Sequence, residues 1–436
     1  MRFLFQLSAV ATGLFSQGAS AQKSVFAHVV VGNTAAHTQA TWVQDITLAR
    51  NTGLDAFVLN IAYPDSNIPG QVAKAFAAAE AEGSGFKLFF AFDYLGGGQR
   101  WPSTGSNSVV SYLNQYKNSP AYFRYQGLPF VSTFEGVDDI NAWAPNGPIR
   151  SAVGGLYFVP DWSSLGPSNF ATHNNNVQGA FSWEMWPAGA TDKTTDSDYA
   201  WKNNIGAGKT YMMGVSPWFF HSTNGGKKWL WRGDSLWADR WKQTLAVNPE
   251  FVQVVTWNDF GESMYVGPVR SRSEIAAGAE VYVDGQSHES WLDFLPYYIA
   301  KYKGSPFTIS RDQMQYWYRT HPAAAGSTCG VVGNNADQGQ QELSPNSVVQ
   351  DAVFFSALLS SPAEVRVQIG NSPVKTYQGV TGINHWRQPF NGQTGVPKFS
   401  VVRNGATTGS GVGKAITAST TLANGCSNYN PWVGSF

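Results

Sequence analysis

Between Val25 and Lys303 the chain repeats one pattern, a short apolar β-rich run followed by a polar or helical stretch. The runs are Val25–Gly32, Ala56–Ala62, Lys87–Tyr94, Leu128–Gly136, Gly155–Trp162, Gly179–Trp186, Thr210–His221 and a last one that begins at Phe251. Continuous apolar strands suit a parallel sheet covered on both faces. Helical spacing appears over Gln39–Thr52, Gln71–Glu82, Ser108–Lys117, Leu236–Ala246 and Trp291–Lys303. Gly83 stops the second of these helices, and Asp234 and Ser235 are cap candidates for the fourth. Eight strand–helix alternations over about 280 residues predict an α/β fold, a (β/α)8 TIM barrel.

Past Gly304-Ser305-Pro306 the composition turns to Gly, Thr, Ser and Val, with short alternating runs such as Ala363–Ile369 and Lys398–Val402. That pattern predicts a C-terminal β-sandwich over residues 304–436, after a barrel over 22–303. At the other end Arg2, the apolar stretch Phe3–Phe15 and Ala19-Ser20-Ala21 predict a secretory signal peptide over residues 1–21. The expected location is therefore secreted, extracellular or in a cell wall. That apolar run is too short for a membrane span, and no later segment approaches about 20 apolar residues. Cys329 and Cys426 are the only two cysteines, and in a secreted chain they are expected to pair. Lys+Arg and Asp+Glu balance at 29 each, so no basic excess attracts nucleic acid or an anionic membrane. A monomer is expected.

Function is concentrated where the strands end. His28 lies on the first run, and Asn60, Asp93, Glu135, Asp161-Trp162 and Trp183-Glu184 close later ones. In a parallel barrel those ends form the ligand face. The densest cluster is in FVQVVTWNDFGES, Phe251 to Ser263, where Trp257, Asn258, Asp259, Gly261 and Glu262 follow an apolar strand. Asp259 and Glu262 are three residues apart, with Gly261 to let the chain turn. Two readings stand side by side. A carboxylate pair suits glycosidic cleavage, one group protonating the leaving oxygen and the other activating water or attacking carbon. The same spacing also fits a helix capping box. The 17 tryptophans exceed what a core needs and suit stacking on sugar rings, with Trp162, Trp183, Trp218 and Trp257 as candidate platforms. No nucleophile elbow, HExxH motif, P-loop or dinucleotide fingerprint occurs. No cofactor and no metal are expected.

The segments VFAHVVVGN, GLDAFVLNIA, FKLFFAFDY, FVPDW, FSWEMWP and VVTWNDFGES, in that order, resemble the fungal α-1,3-glucanases (mutanases) of glycoside hydrolase family 71. The resemblance spans the barrel and continues into the C-terminal part. It implies an inverting, endo-acting hydrolase of α-1,3-glucan whose NDFGE carboxylates, here Asp259 and Glu262, are the catalytic pair. Glu262 is taken as general acid and Asp259 as general base. His28, Asn60, Asp93, Glu135, Asp161, Glu184 and Asn258 are expected to bind sugar hydroxyls or tune the pair. The alternatives are a glycosidase of another linkage and a secreted carbohydrate-binding wall protein on a non-catalytic barrel.

Overall fold

The computed structural model describes residues 23–436, apart from 224, 225 and 227. The expected signal segment, 1–21, lies outside the described residues. Eight parallel strands follow one another: β1 Ser24–Val30, β2 Ala56–Ala62, β3 Lys87–Asp93, β4 Leu128–Phe134, β5 Tyr157–Phe158, β6 Gly179–Ser182, β7 Thr210–Val215 and β8 Phe251–Val254. They pair in the order β5-β4-β3-β2-β1-β8-β7-β6. The sheet curls, and individual hydrogen bonds run between the segments of its two end strands. The Gln178 N–H donates to the Phe158 carbonyl and the Phe181 N–H to the Pro160 carbonyl, each at 2.8 Å. Isolated parallel bridges join Phe134 to Asp161 and Asp161 to Phe181.

Three strands are markedly shorter than the apolar runs predict: the sixth ends at Ser182 instead of Trp186, and in the fifth and seventh a proline interrupts the ladder. Pro160 and Pro217 carry no N–H for the ladder. The fifth run is regular only at Tyr157–Phe158, and the seventh breaks after Val215. It resumes as Phe220–Ser222, which folds back in an antiparallel hairpin with Lys228–Leu230.

The helices pack outside the sheet: α1 Gln39–Asn51, α2 Ile68–Glu82, α3 Val109–Tyr116, α4 Asp196–Asn204, α5 Leu236–Val247 and α6 Leu295–Lys303. Capping boxes start α1 (Thr38 with Thr41) and α3 (Ser108 with Ser111), and Gly83 ends α2 with φ 70°. The cap expected for α5 is absent. The Ser235 hydroxyl is hydrogen-bonded to His385 Nε2 at 2.9 Å, and the Asp234 carboxylate accepts the Gln350 N–H. Both groups serve a long-range contact instead. The last helix also starts later than its apolar pattern suggests, because residues Glu289–Phe294 form a 3-10 turn before Pro296 opens α6.

Inside the curled sheet, Phe26 on β1 packs against Phe89, Phe130 and Phe251 at ring separations of 4.9, 5.9 and 5.7 Å. Successive residues on a strand alternate faces. Two residues further along, these strands carry His28, Ala91, Ser132 and Gln253, and β3 then reaches Asp93. An aromatic floor thus closes one end, and polar groups collect at the other.

The C-terminal part holds β9 Gln313–Tyr318, β10 Ala352–Leu359, β11 Ala363–Ile369, β12 Lys375–Gly379, β13 Gly382–Pro389, β14 Pro397–Arg403, β15 Ala406–Val412 and β16 Trp432–Ser435. They form two antiparallel sheets, β13-β10-β9-β16 and β12-β11-β14-β15. Tyr316, Phe355, Val365, Val367 and Phe399 from both sheets share one apolar cluster. Trp317, on the opposite face of β9, joins the core of the curled sheet, and its indole N–H donates to the Asp234 carbonyl at 2.7 Å. Cys329 and Cys426 are disulfide-bonded across 97 residues.

Candidate active site

The chain leaving β8 folds back on itself, with the Thr256 N–H donating to the Met264 carbonyl and the Val266 N–H to that of Thr256. The Thr256 hydroxyl accepts the Asp259 N–H at 2.8 Å, and Asp259 Oδ1 accepts the Glu262 N–H at 3.2 Å. Only half of a capping box is present. The Asp259 N–H is already taken by Thr256, and no helix follows. Neighbours brace the turn from several sides. The Gly261 carbonyl accepts the Tyr282 hydroxyl at 2.6 Å and faces His221 Nδ1 at 3.2 Å. The Phe220 N–H donates to the Glu262 carbonyl. The Asn258 amide pairs with both the N–H and the carbonyl of Val30. Asn258 therefore stitches the turn after β8 to the end of β1, and its buried side chain serves that contact rather than the sugar hydroxyl expected of it.

Asp259 and Glu262 each keep a partial opening to solvent, with dense protein on their other sides. Burial pushes the Asp259 carboxyl up to about 6, against the Glu262 N–H that stabilises its charge. Burial raises Glu262 well above the usual carboxyl range, and the charges of Asp259 and Asp93 add to the rise. Asp93, also raised by burial, is held by the N–H groups of Leu95 and Gly96 and by the Asn60 amide. Three carboxyls thus share one electrostatic environment, in which the charges of Asp259 and Asp93 raise Glu262. A carboxyl raised on folding weakens the fold as pH climbs from the unfolded carboxyl range through the folded value. Asp259→Asn should therefore melt above the wild type at pH 8 and level with it at pH 4, in paired thermal melts. A variant no more stable at pH 8 than at pH 4, relative to wild type, contradicts the burial argument.

The family model for glycosyl hydrolase family 71 matches residues 21–436. The chain belongs to that family. It is 33% identical to a glucan endo-1,3-alpha-glucosidase of Schizosaccharomyces pombe over 95% of both chains. It is 33% identical to a mutanase of Penicillium rubens, covering 95% of this chain and 89% of the relative. An ascus wall endo-1,3-alpha-glucanase of Schizosaccharomyces pombe is 28% identical, with 88% and 90% covered.

In this family 71 chain, His28 lies at the polar end of the curled sheet, its mouth, where the His28 carbonyl accepts the Trp257 N–H ahead of the Asp259–Glu262 turn. Its Nδ1 meets the Gln253 amide nitrogen at 2.9 Å, which leaves the N–H on Nε2, and burial lowers its pKa to about 3. It is therefore a neutral ring with one donor. Trp183 stands 5.2 Å from it and 4.9 Å from Phe134, and stays partly open.

Across the mouth a second carboxyl group set braces a loop. Asp161 is fully buried, and its Oδ1 accepts the Ser163 N–H and hydroxyl. Burial raises it well above the usual range, with Glu135 and Glu184 adding to the rise. The Ser163 oxygen in turn accepts the Trp183 N–H at 2.8 Å. Glu135 takes the N–H and hydroxyl of Ser164. Glu184 faces the helix layer, where it accepts the Trp201 indole N–H.

Burial separates the tryptophans. Of the 17, all but Trp183, Trp229, Trp386 and Trp432 are buried. Trp162 packs between Phe158 and Phe170, Trp257 packs on Phe57, and the Trp218 indole N–H donates to the Tyr429 carbonyl. These three offer no ring face, so their expected stacking role is corrected. Strand alternation turned Asp161 inward and Trp162 outward. The sequence reading missed Tyr282 and His221, which hold the Gly261 carbonyl. His221 ends a run taken as one strand, and Pro217 was the available signal that the run breaks.

Proposed function

We propose that this chain hydrolyses α-1,3-glucosidic bonds inside α-1,3-glucan with inversion. The supporting observation is the adjacent, partly open carboxyls of Asp259 and Glu262, held in one turn by the Glu262 N–H on Asp259 Oδ1, in a chain that shares most of its length with an endo-1,3-alpha-glucosidase and a mutanase. Glu262, the higher of the two, keeps its proton and gives it to the glycosidic oxygen as the bond to the anomeric carbon breaks. Asp259, charged above about 6, takes a proton from the water that attacks that carbon from the opposite face. A water between the carboxyls gives the β-anomer as first product. His28, Asn60 and Asp93 would bind hydroxyls at the mouth, with Trp183 as a platform. Asp161 and Glu135 would hold the loop that positions it.

On this reading the parallel strands close into a (β/α)8 barrel over residues 22–303, with a β-sandwich over 304–436. The hydrogen bonds linking residues 158 and 178, and 160 and 181, support closure. The N-terminal apolar stretch supports secretion toward a wall polysaccharide. Among the described residues no helix is long and apolar enough to cross a membrane. Reducing-end release from α-1,3-glucan, α-1,4-glucan and β-1,3-glucan tests the reading. Release from the first alone is expected, and no release from it, or equal release from the others, overturns it.

A further inference from the structure

The hairpin Phe220–Ser222/Lys228–Leu230 carries no assigned role. It pairs His221 with Trp229 across its two strands, and their rings lie 5.1 Å apart. His221 touches the Gly261 carbonyl, between Asp259 and Glu262 in the chain. Trp229 is stacked on Phe219 at 5.1 Å, Phe219 meets Trp231 at 4.5 Å, and Trp231 is stacked on Trp186 at 5.0 Å. Trp186 reaches Trp183 at 6.3 Å. The middle of this wall, Phe219, Trp231 and Trp186, is buried. Its ends, Trp183 and Trp229 with His221, remain partly open. They are the two open indoles that pack against the core of the curled sheet. Phe219 covers one face of Trp229.

The C-terminal part fixes this hairpin. Trp229 and Leu230 pair in parallel with Val332 and Gly333, the Asn334 N–H donates to the Leu230 carbonyl, and Lys228 Nζ donates to the Cys329 carbonyl at 3.3 Å. Cys329 is itself anchored by the disulfide to Cys426. A chain cut in its interior must be gripped on both sides of the cleaved bond, because saturated rings offer only hydroxyls and C–H faces for recognition. Trp183 lies 5.2 Å from His28, and Trp229 reaches the Asp259–Glu262 turn through His221, which faces the Gly261 carbonyl.

We infer that Trp229 is a second glucan platform, stacking a glucose ring at the other end of the aromatic wall from Trp183, beside the Asp259–Glu262 turn, and that the disulfide-anchored C-terminal segment holds it there. This inference rests on the hydrolase reading above.

Steady-state kinetics on a soluble α-1,3-linked glucose hexasaccharide tests it, with wild type, Trp229→Ala and Trp229→Phe and a melting curve for each. Loss of one stacked ring should raise KM at least about tenfold in Trp229→Ala, with kcat within about threefold of wild type because the carboxyls are untouched. Trp229→Phe, which keeps a ring, should recover most of the loss. A KM within about twofold of wild type in Trp229→Ala, or no recovery by the phenylalanine variant, overturns the inference. So does a fall in melting temperature and kcat with KM unmoved, which marks a packing residue. Absence of wild-type cleavage is a different result, since it removes the hydrolase reading and this inference together.

Discussion

Asp259→Asn and Glu262→Gln each lower turnover on α-1,3-glucan by about 10²–10⁴-fold, the usual share of one general acid or base. The amides keep the shape of the turn. An amide oxygen at position 259 still accepts the Glu262 N–H, and Thr256, Tyr282 and His221 hold backbone groups that neither change touches. What disappears is the proton of Glu262 or the charge of Asp259. Glucan binding survives, because the aromatic wall and the Asn60–Asp93 pair remain. A structural pair behaves differently, with lower stability and turnover per folded molecule near wild type. Turnover and melting temperature measured together on the two variants separate these cases.

Asp198→Ala lowers stability by about 3–5 kcal/mol, the cost of leaving a buried charge without its partner. Asp198 on α4 and Arg240 on α5 are each 1% exposed. The guanidinium grips both carboxylate oxygens, at 2.7 and 3.0 Å. It also donates to the Gly214 carbonyl on β7, while the Tyr211 hydroxyl donates to Asp198. The pair therefore ties two helices to one strand. Removal strands a buried cation and a buried hydroxyl together. Denaturant unfolding should show the loss, with kcat per folded molecule unchanged because none of these groups reaches the mouth. A loss below about 1 kcal/mol, the range of an exposed pair, contradicts this picture.

The strands are legible because burial on both faces writes itself as continuous apolar runs, and their polar ends mark the mouth in the sequence itself. Asp93 beside the pair was visible as the last residue of such a run. Which way a side chain points was less legible. A shift of one residue reverses the face, so Asp161 and Trp162 looked equally suited to the mouth when only Asp161 turns inward. Long-range contacts were not legible at all. Ser235 was read as a cap because nothing nearby in sequence announces His385. The strand-seven hairpin was hidden for the same reason, since its clamp is Val332–Gly333, about a hundred residues downstream.

The most direct measurement is a crystal structure of Glu262→Gln soaked with an α-1,3-linked glucose oligosaccharide. A glycosidic oxygen is expected within hydrogen-bond reach of the side chain at position 262, about 2.6–3.2 Å. A water is expected between Asp259 and the anomeric carbon, with a glucose ring on Trp183. Sugar bound away from the Asp259–Glu262 turn, or a mouth that stays empty at saturating oligosaccharide, would contradict the assignment of this site.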